Sequence, residues 1–182
     1  MSSANGNIDK MVTIMPNAIV CREQTTISGD VVIGSRTIIH PTVTIIAENG
    51  PIVIGESNLI EEYVTIINKT NQPMIIGNNN VFEVGAHSES LEIQDNNVLE
   101  YKSRIGPKVK LTNGCVIGTM CDLNDDQILP ENTVLYGPDC KQRKQLEKPS
   151  LQTFQLDFLS KIMPNYQRIE KPRKGTNSAG GN

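Results

Sequence analysis

Residues 93–135 read IQDNNVLEYKSRIGPKVKLTNGCVIGTMCDLNDDQILPENTVL. In this stretch an aliphatic residue returns every sixth position, as Ile93, Leu99, Ile105, Leu111, Ile117, Leu123, Leu129 and Leu135. Val, Ile, Leu and Phe make up 49 of the 182 residues, so eight hits in one chosen register have a chance of roughly 3 in 100,000. A period of six fits neither an amphipathic helix nor a strand alternation sustained over many residues. It fits short strands laid around a three-sided prism, three units and ~18 residues to a coil, with coils ~4.8 Å apart. Positions 18 apart then stack, putting Ile93, Leu111 and Leu129 on one face and Leu99, Ile117 and Leu135 on the next.

The step continues backward through Phe82 and Ile76, through Ile66, Ile60 and Ile54, and through Ile45, Ile39, Ile33 and Ile27 to Val20 and Ile14. Its phase slips between Val20 and Ile27, between Ile45 and Ile54, between Ile66 and Ile76, and between Phe82 and Ile93, and each slip predicts a loop. Four positions after the aliphatic residue comes a small or hydrogen-bonding one, such as Ala18, Thr37, Asn58, Asn80, Asn97, Ser103, Cys115, Cys121 or Thr133. Asn58, Asn80 and Asn97 either bond to backbone or to one another at the inward corner, or serve as turn-favouring asparagines. Glycine often follows the aliphatic residue, as in Ile33-Gly34 and Ile54-Gly55, and is expected to relieve the backbone at a tight corner.

Nineteen inward aliphatics at ~1.5–3 kcal/mol each supply most of the burial. The fold class is all-β, a parallel β-helix over residues 11–140, preceded by a disordered N-terminus over 1–10. A linker and an amphipathic C-terminal α-helix follow over 141–170. Leu151, Phe154, Phe158, Ile162, Tyr166 and Ile169 lie on helical spacing, with Leu159 and Met163 widening the stripe. Leu151, Phe154, Phe158, Ile162 and Tyr166 are therefore the expected packing residues. Ser150 is the expected N-cap, and Pro164 is expected to end or kink the helix. The helix either packs along the prism or covers its last coil, the alternative being an exposed partner-binding helix. Residues 171–182 read as a disordered basic tail.

Charge divides at the same boundary: residues 1–140 carry net -9 and residues 141–182 net +6, which suggests a basic helix neutralising an acidic prism. Basic residues are few and no stacking aromatics accompany them on the coils, so nucleic-acid binding is not expected. No apolar run approaches the ~18 residues of a membrane span, and Met1–Lys10 has no signal-peptide core. A cytoplasmic protein without membrane insertion is the expectation. Cys21, Cys115, Cys121 and Cys140 match no zinc motif and read as reduced thiols, two of them packed inside.

The six-residue pattern resembles the hexapeptide-repeat family, and that resemblance, not the general preference of parallel crossovers for the right hand, implies left-handed coils. Hexapeptide-repeat proteins include gamma-class carbonic anhydrases and acyltransferases. The former need three zinc-bound His, and this chain has two. His40 follows inward Ile39 and should point outward, while His87 falls in the expected loop before Ile93. Neither has a second His five residues away. As a general base for acyl transfer, His87 has only Glu89 as a weak partner. Neither catalytic constellation is assembled, so no catalytic residue, metal or cofactor is expected. A homotrimeric hexapeptide-repeat enzyme of either type, or a homotrimer with a small ligand, is the alternative.

Residues 36–62, 73–88, 111–124, 129–140 and 151–166 (among them RTIIHPTVTIIAENGPIVIGESNLIEE, PMIIGNNNVFEVGAHS and LQTFQLDFLSKIMPNY) together resemble the dynactin subunit 6 family. The resemblance covers roughly residues 10–170 and departs in the loop 67–75 and in the final dozen residues. It implies a non-catalytic structural subunit of the cytoplasmic, cytoskeletal dynactin complex that supports dynein-driven transport and adaptor or cargo binding. The implied pointed-end partners are dynactin subunit 5, dynactin subunit 4 and the pointed-end actin-related protein. Flat prism faces pair side by side, so outward Glu61, Glu62 and Tyr63, with Tyr101, Lys102 and Arg104, are the interface candidates.

Overall fold

The computed structural model describes residues 6–176. Strands mostly two to four residues long wind into a parallel β-helix of three sheets, two of seven strands and one of eight. One column of inward residues runs Ile8, Ile27, Ile45, Ile66, Ser88, Ile105, Leu123 along the first face. The second runs Ile14, Ile33, Ile54, Ile76, Ile93, Leu111, Leu129. The third runs Val20, Ile39, Ile60, Phe82, Leu99, Ile117, Leu135. Nearly all of these side chains are fully buried, and the small residues four positions on, such as Ala18, Thr37 and Val43, are buried with them.

The coils begin at Asn7, earlier than the expected boundary at residue 11, because Asn7–Ile8 pairs with Thr26–Ile27. Of the expected loops, 48–50 and 69–73 project at one edge, with Asn49 Nδ2 donating to the Lys69 carbonyl at 3.0 Å. The slip between Phe82 and Ile93 is no loop. Ser88 occupies the inward slot beside Ile66 and Ile105, so a polar residue hid an intact unit, and the unit after it is one residue short.

Glycine acts differently from the expectation. Gly34 does not have positive φ; a Cβ there would lie 2.3 Å from the Gly55 carbonyl oxygen, so the stacking of successive corners excludes one. The left-handed corner positions belong mostly to other residues, among them Asn17, Arg36, Ser57, Asn79, Asn96 and Asn132 along one edge. Asn tolerates that conformation at low cost, the others less readily.

The asparagines bond to one another's main chain. Asn58 Oδ1 accepts the Asn80 N–H at 2.8 Å, Asn80 Oδ1 accepts that of Asn97 at 2.8 Å, and Asn97 Oδ1 accepts that of Cys115 at 2.8 Å. The ladder starts at Thr37, whose Oγ1 accepts the Asn58 N–H at 3.2 Å. All four cysteines are free; Cys21, Cys115 and Cys121, three and not two, are buried.

The chain itself covers part of each end of the prism. Thr133–Tyr136 turns back through Lys141–Lys144 as an antiparallel hairpin at the last coil, so part of the expected linker is strand. Helix α1 (Thr153–Tyr166) begins three residues after Ser150, has Gln152 at its N-cap without a side-chain bond, and contains Pro164 in its last turn. It packs on the outer side of the third face. Leu156 and Met163 are buried there with Ile38, Leu59 and Val81, and Leu159 and Ile162 are partly buried beside them.

Here the expected packing set needs correction. Ile162 contributes, but Leu151, Phe154, Phe158 and Tyr166 are exposed, Phe154 by 92%. The apolar stripe is wider than one contact face, and the half centred on Leu156 and Met163 is the one that docks. After α1 the chain runs along the first coil, where 168–176, in part expected to be disordered, makes antiparallel bridges at Cys21–Ile169 and Ile14–Arg173. Residues 1–5 and 177–182, where the rest of the two disordered termini was expected, lie outside the described residues. The ion pairs Arg36–Asp157 at 2.8 Å and Arg22–Glu170 at 3.2 Å place the cation on the prism and the anion on the C-terminal region, the reverse of the expected neutralisation.

Candidate functional site

The edge between the third and first faces brings five of the six expected interface residues together. Each coil turns there through one residue at positive φ, in the order Gln24, Thr42, Tyr63, Gly85, Lys102, Met120. Backbone bonds tie these turns in series: Gly85 donates to Glu62, Lys102 to Val84, and Met120 to Tyr101. Tyr63 is 65% exposed, Tyr101 41% and Met120 69%. The Lys102 ammonium lies 5.0 Å from the centre of the Tyr101 ring. Arg104 stands apart on the first face, 3.8 Å from Asp122.

Glu61 and Glu62 hold this edge and are half-buried within it. Glu61 Oε2 accepts the Val84 N–H at 3.1 Å. One and two coils on, Glu83 Oε2 accepts that of Tyr101 at 3.0 Å and Glu100 Oε2 that of Thr119 at 2.9 Å. These three carboxylates form a column of caps, each satisfying a turn amide of the next coil. Burial pushes the Glu61 carboxyl up, against the Val84 bond and the His40 charge. Burial acts most strongly on Glu62 and raises it, but the hydrogen bond from His40, its own backbone N–H and the His40 charge together outweigh burial, and the net direction is down. His40 Nδ1 sits 2.9 Å from Glu62 Oε1. Exposed Tyr63, Tyr101 and Met120 therefore project from a backbone pinned by half-buried acids.

Met120 was missed because outward residues vary freely in a coil. The signal that finds it is its offset: Tyr63, Lys102 and Met120 each stand three residues after an inward residue of the third column.

The two histidines sit apart in the fold. His40 is at this edge, while His87 faces outward on the first face beside Thr65 and Arg104. His87 Nε2 and Lys69 Nζ both contact Glu89 Oε1, at 3.1 and 2.9 Å. A small hollow of about 110 Å³ opens between His87, Arg104, Pro107 and Asn124. Among the described residues no three His, Cys, Asp or Glu side chains are grouped to hold a metal ion, and no helix is long and apolar enough to cross a membrane.

The outward rows differ from face to face. The first runs Asn7, Thr26, Thr44 and Thr65 before His87, Arg104 and Asp122, and the second runs Thr13, Val32, Val53 and Ile75 before Glu92 and Lys110 and ends at Ile128. Two uncharged, mostly β-branched surfaces thus remain in the early coils beside the helix-covered third face.

No family model matches the chain. Dynactin subunit 6 of Danio rerio is 49% identical over 96% of this chain and 95% of its own length. Dynactin subunit 6 of Nematostella vectensis is 49% identical over 89% of this chain and 94% of its own. Among solved structures, a hexapeptide transferase family protein from Anaplasma phagocytophilum covers 88% of each chain at TM-score 0.56 and 16% identity. A coil of the opposite hand does not superpose over such a length, so the prism shares the left-handed winding of those transferases.

Proposed function

The chain belongs to the dynactin subunit 6 family, and on that premise we propose that it is a structural subunit of the dynactin complex with no catalytic activity of its own. The observation that carries this reading is a likeness that runs nearly the length of the chain, terminal helix and first-coil strap included. The architecture suits the role. A prism partly covered at both ends by its own chain presents outward faces and one pinned edge at fixed geometry, as a scaffold needs.

In this reading the subunit works at the cytoplasmic, cytoskeletal pointed end of dynactin. It stands beside dynactin subunit 5, with dynactin subunit 4 and the pointed-end actin-related protein, and supports dynein-driven transport and adaptor engagement. The edge bearing Tyr63, Tyr101, Lys102 and Met120 is the contact surface, because aromatic and Met side chains on a pre-ordered backbone lose little entropy on binding. Glu61 and Glu62 act by holding that edge, so their charge reversal would disturb the fold as well as the contact. Arg104 adjoins it on the first face.

The test is gentle affinity purification of the tagged full chain from cytosol, followed by native mass and subunit stoichiometry. Recovery in a megadalton assembly at a fixed ratio to subunit 5 supports the proposal, and Tyr63→Ala with Met120→Ala should lower that recovery without changing the melting temperature. A free homotrimer carrying zinc or an acyl cofactor would overturn it and make His40 and His87 the first residues to replace.

A further inference from the structure

The first coil of a β-helix has no coil before it, so its outward main-chain groups lack partners. Here residues 168–176 supply partners along the second and third faces. Arg22 N–H donates to the Arg168 carbonyl at 2.8 Å, and Glu170 N–H to that of Val20 at 2.8 Å. Ile14 and Arg173 exchange both bonds, at 2.8 and 2.9 Å, and Thr176 N–H reaches the Lys10 carbonyl at 3.1 Å.

The side chains of this segment select its sequence. The Arg173 guanidinium donates to the carbonyls of Ile8, Asp9 and Val12, and is held by Glu170 at 2.8 Å. Glu170 in turn pairs with Arg22. Ile169 packs against the third-face cluster that contains Cys21. Gly175 donates to Thr13 Oγ1 at 2.9 Å, and a Cβ at that position would stand 2.0 Å from the Met11 carbonyl oxygen. An apolar residue, an acid directly after it, an arginine three beyond the acid and a glycine two further on are thus each read by a separate contact.

We propose that the first coil is a strand-docking site, occupied in cis by 168–176, which accepts in trans an extended basic segment of a partner chain carrying that pattern. The main-chain bonds provide the pairing and the arginine and glycine subsites provide the selection, as in strand addition at an open sheet edge. The tethered segment competes at high effective concentration, so the site opens to a partner only when the strap is released.

Hydrogen exchange on the full-length protein tests this. In Arg173→Glu, the Ile14 and Arg22 amides should exchange at least about tenfold faster, while the Val98 amide deep in the coils stays as slow as in the unaltered protein. Gly175→Val, which clashes with Met11 without touching Arg173, should do the same and guards against a folding defect peculiar to the first variant. Adding a synthetic peptide of residues 166–176 in excess should restore slow exchange at both amides, and a scrambled peptide should not. Unchanged exchange at Ile14 and Arg22 in both variants would overturn the proposal, as would a freed edge that the peptide leaves unprotected.

Discussion

Asn58 Oδ1 accepts the backbone N–H of Asn80 at 2.8 Å, so a side chain of one coil satisfies the main chain of the next. Asn80 repeats the relation with Asn97, and both are fully buried. Asn80→Ala leaves the buried Asn97 N–H without its acceptor. The expected cost is about 1–3 kcal/mol, read as a lower denaturant midpoint with unchanged slope. A midpoint equal to that of the unaltered protein would mean that the ladder contributes nothing net.

The docked half of α1 predicts an unequal response to truncation. Leu156→Ala or Met163→Ala should cost about 2–3 kcal/mol, since each empties a site against Ile38, Leu59 and Val81. Phe154→Ala should fall within about 0.5 kcal/mol of the unaltered protein. Thermal denaturation of the three variants decides whether the docked half is assigned correctly.

Two glycines separate stacking from backbone conformation. At Gly34 a Cβ would meet the Gly55 carbonyl at 2.3 Å, and neither backbone can move away without parting two coils. Gly34→Ala should therefore cost more than about 3 kcal/mol. Gly137 has φ +73 and open space around it, so Gly137→Ala should cost only about 1 kcal/mol, the strain of the left-handed conformation. Equal losses in chemical denaturation would contradict this distinction.

Glu89 predicts an acid-dependent term. Burial acts to raise its carboxyl, but the hydrogen bonds from Lys69 and His87 outweigh that and hold it below the ordinary value of 4.5. A carboxylate depressed in the folded state stabilises above its unfolded pKa and loses that contribution as pH falls through the folded value. Glu89→Gln should therefore be less stable than the unaltered protein near neutrality. The gap should close as pH falls below about 4.5 and through the lowered folded value. A gap that persists to the acid end would assign the difference to packing.

Most of the fold is legible in the residues because a prism interior admits one kind of side chain at one kind of position. Ile93, Leu111 and Leu129 do stack as their spacing requires. Ser88 broke the pattern because the rule was written in hydrophobicity, whereas the slot demands only a side chain small enough to be buried. The docked half of α1 was not legible. Periodicity reports the width of an apolar stripe and not which part of it meets Leu59 and Val81 on the third face. The edge candidates were half legible, since outwardness follows from the period while the capping by Glu61, Glu83 and Glu100 depends on stacking across coils. Nothing local marks residues 168–176 as the partner of the first coil, because the residues they bridge to lie far away in the sequence.

That pairing of the last described residues with the first coil has a consequence for synthesis. About 150 residues separate Arg22 from Arg168, so at ordinary translation rates the first coil waits roughly 7–30 s on the ribosome before its own closing strand exists. Throughout that interval the nascent chain offers an open sheet edge, with Ile14 and Val20 directly beneath it, to whatever else is nearby. The first coil is sealed by a segment made long after it.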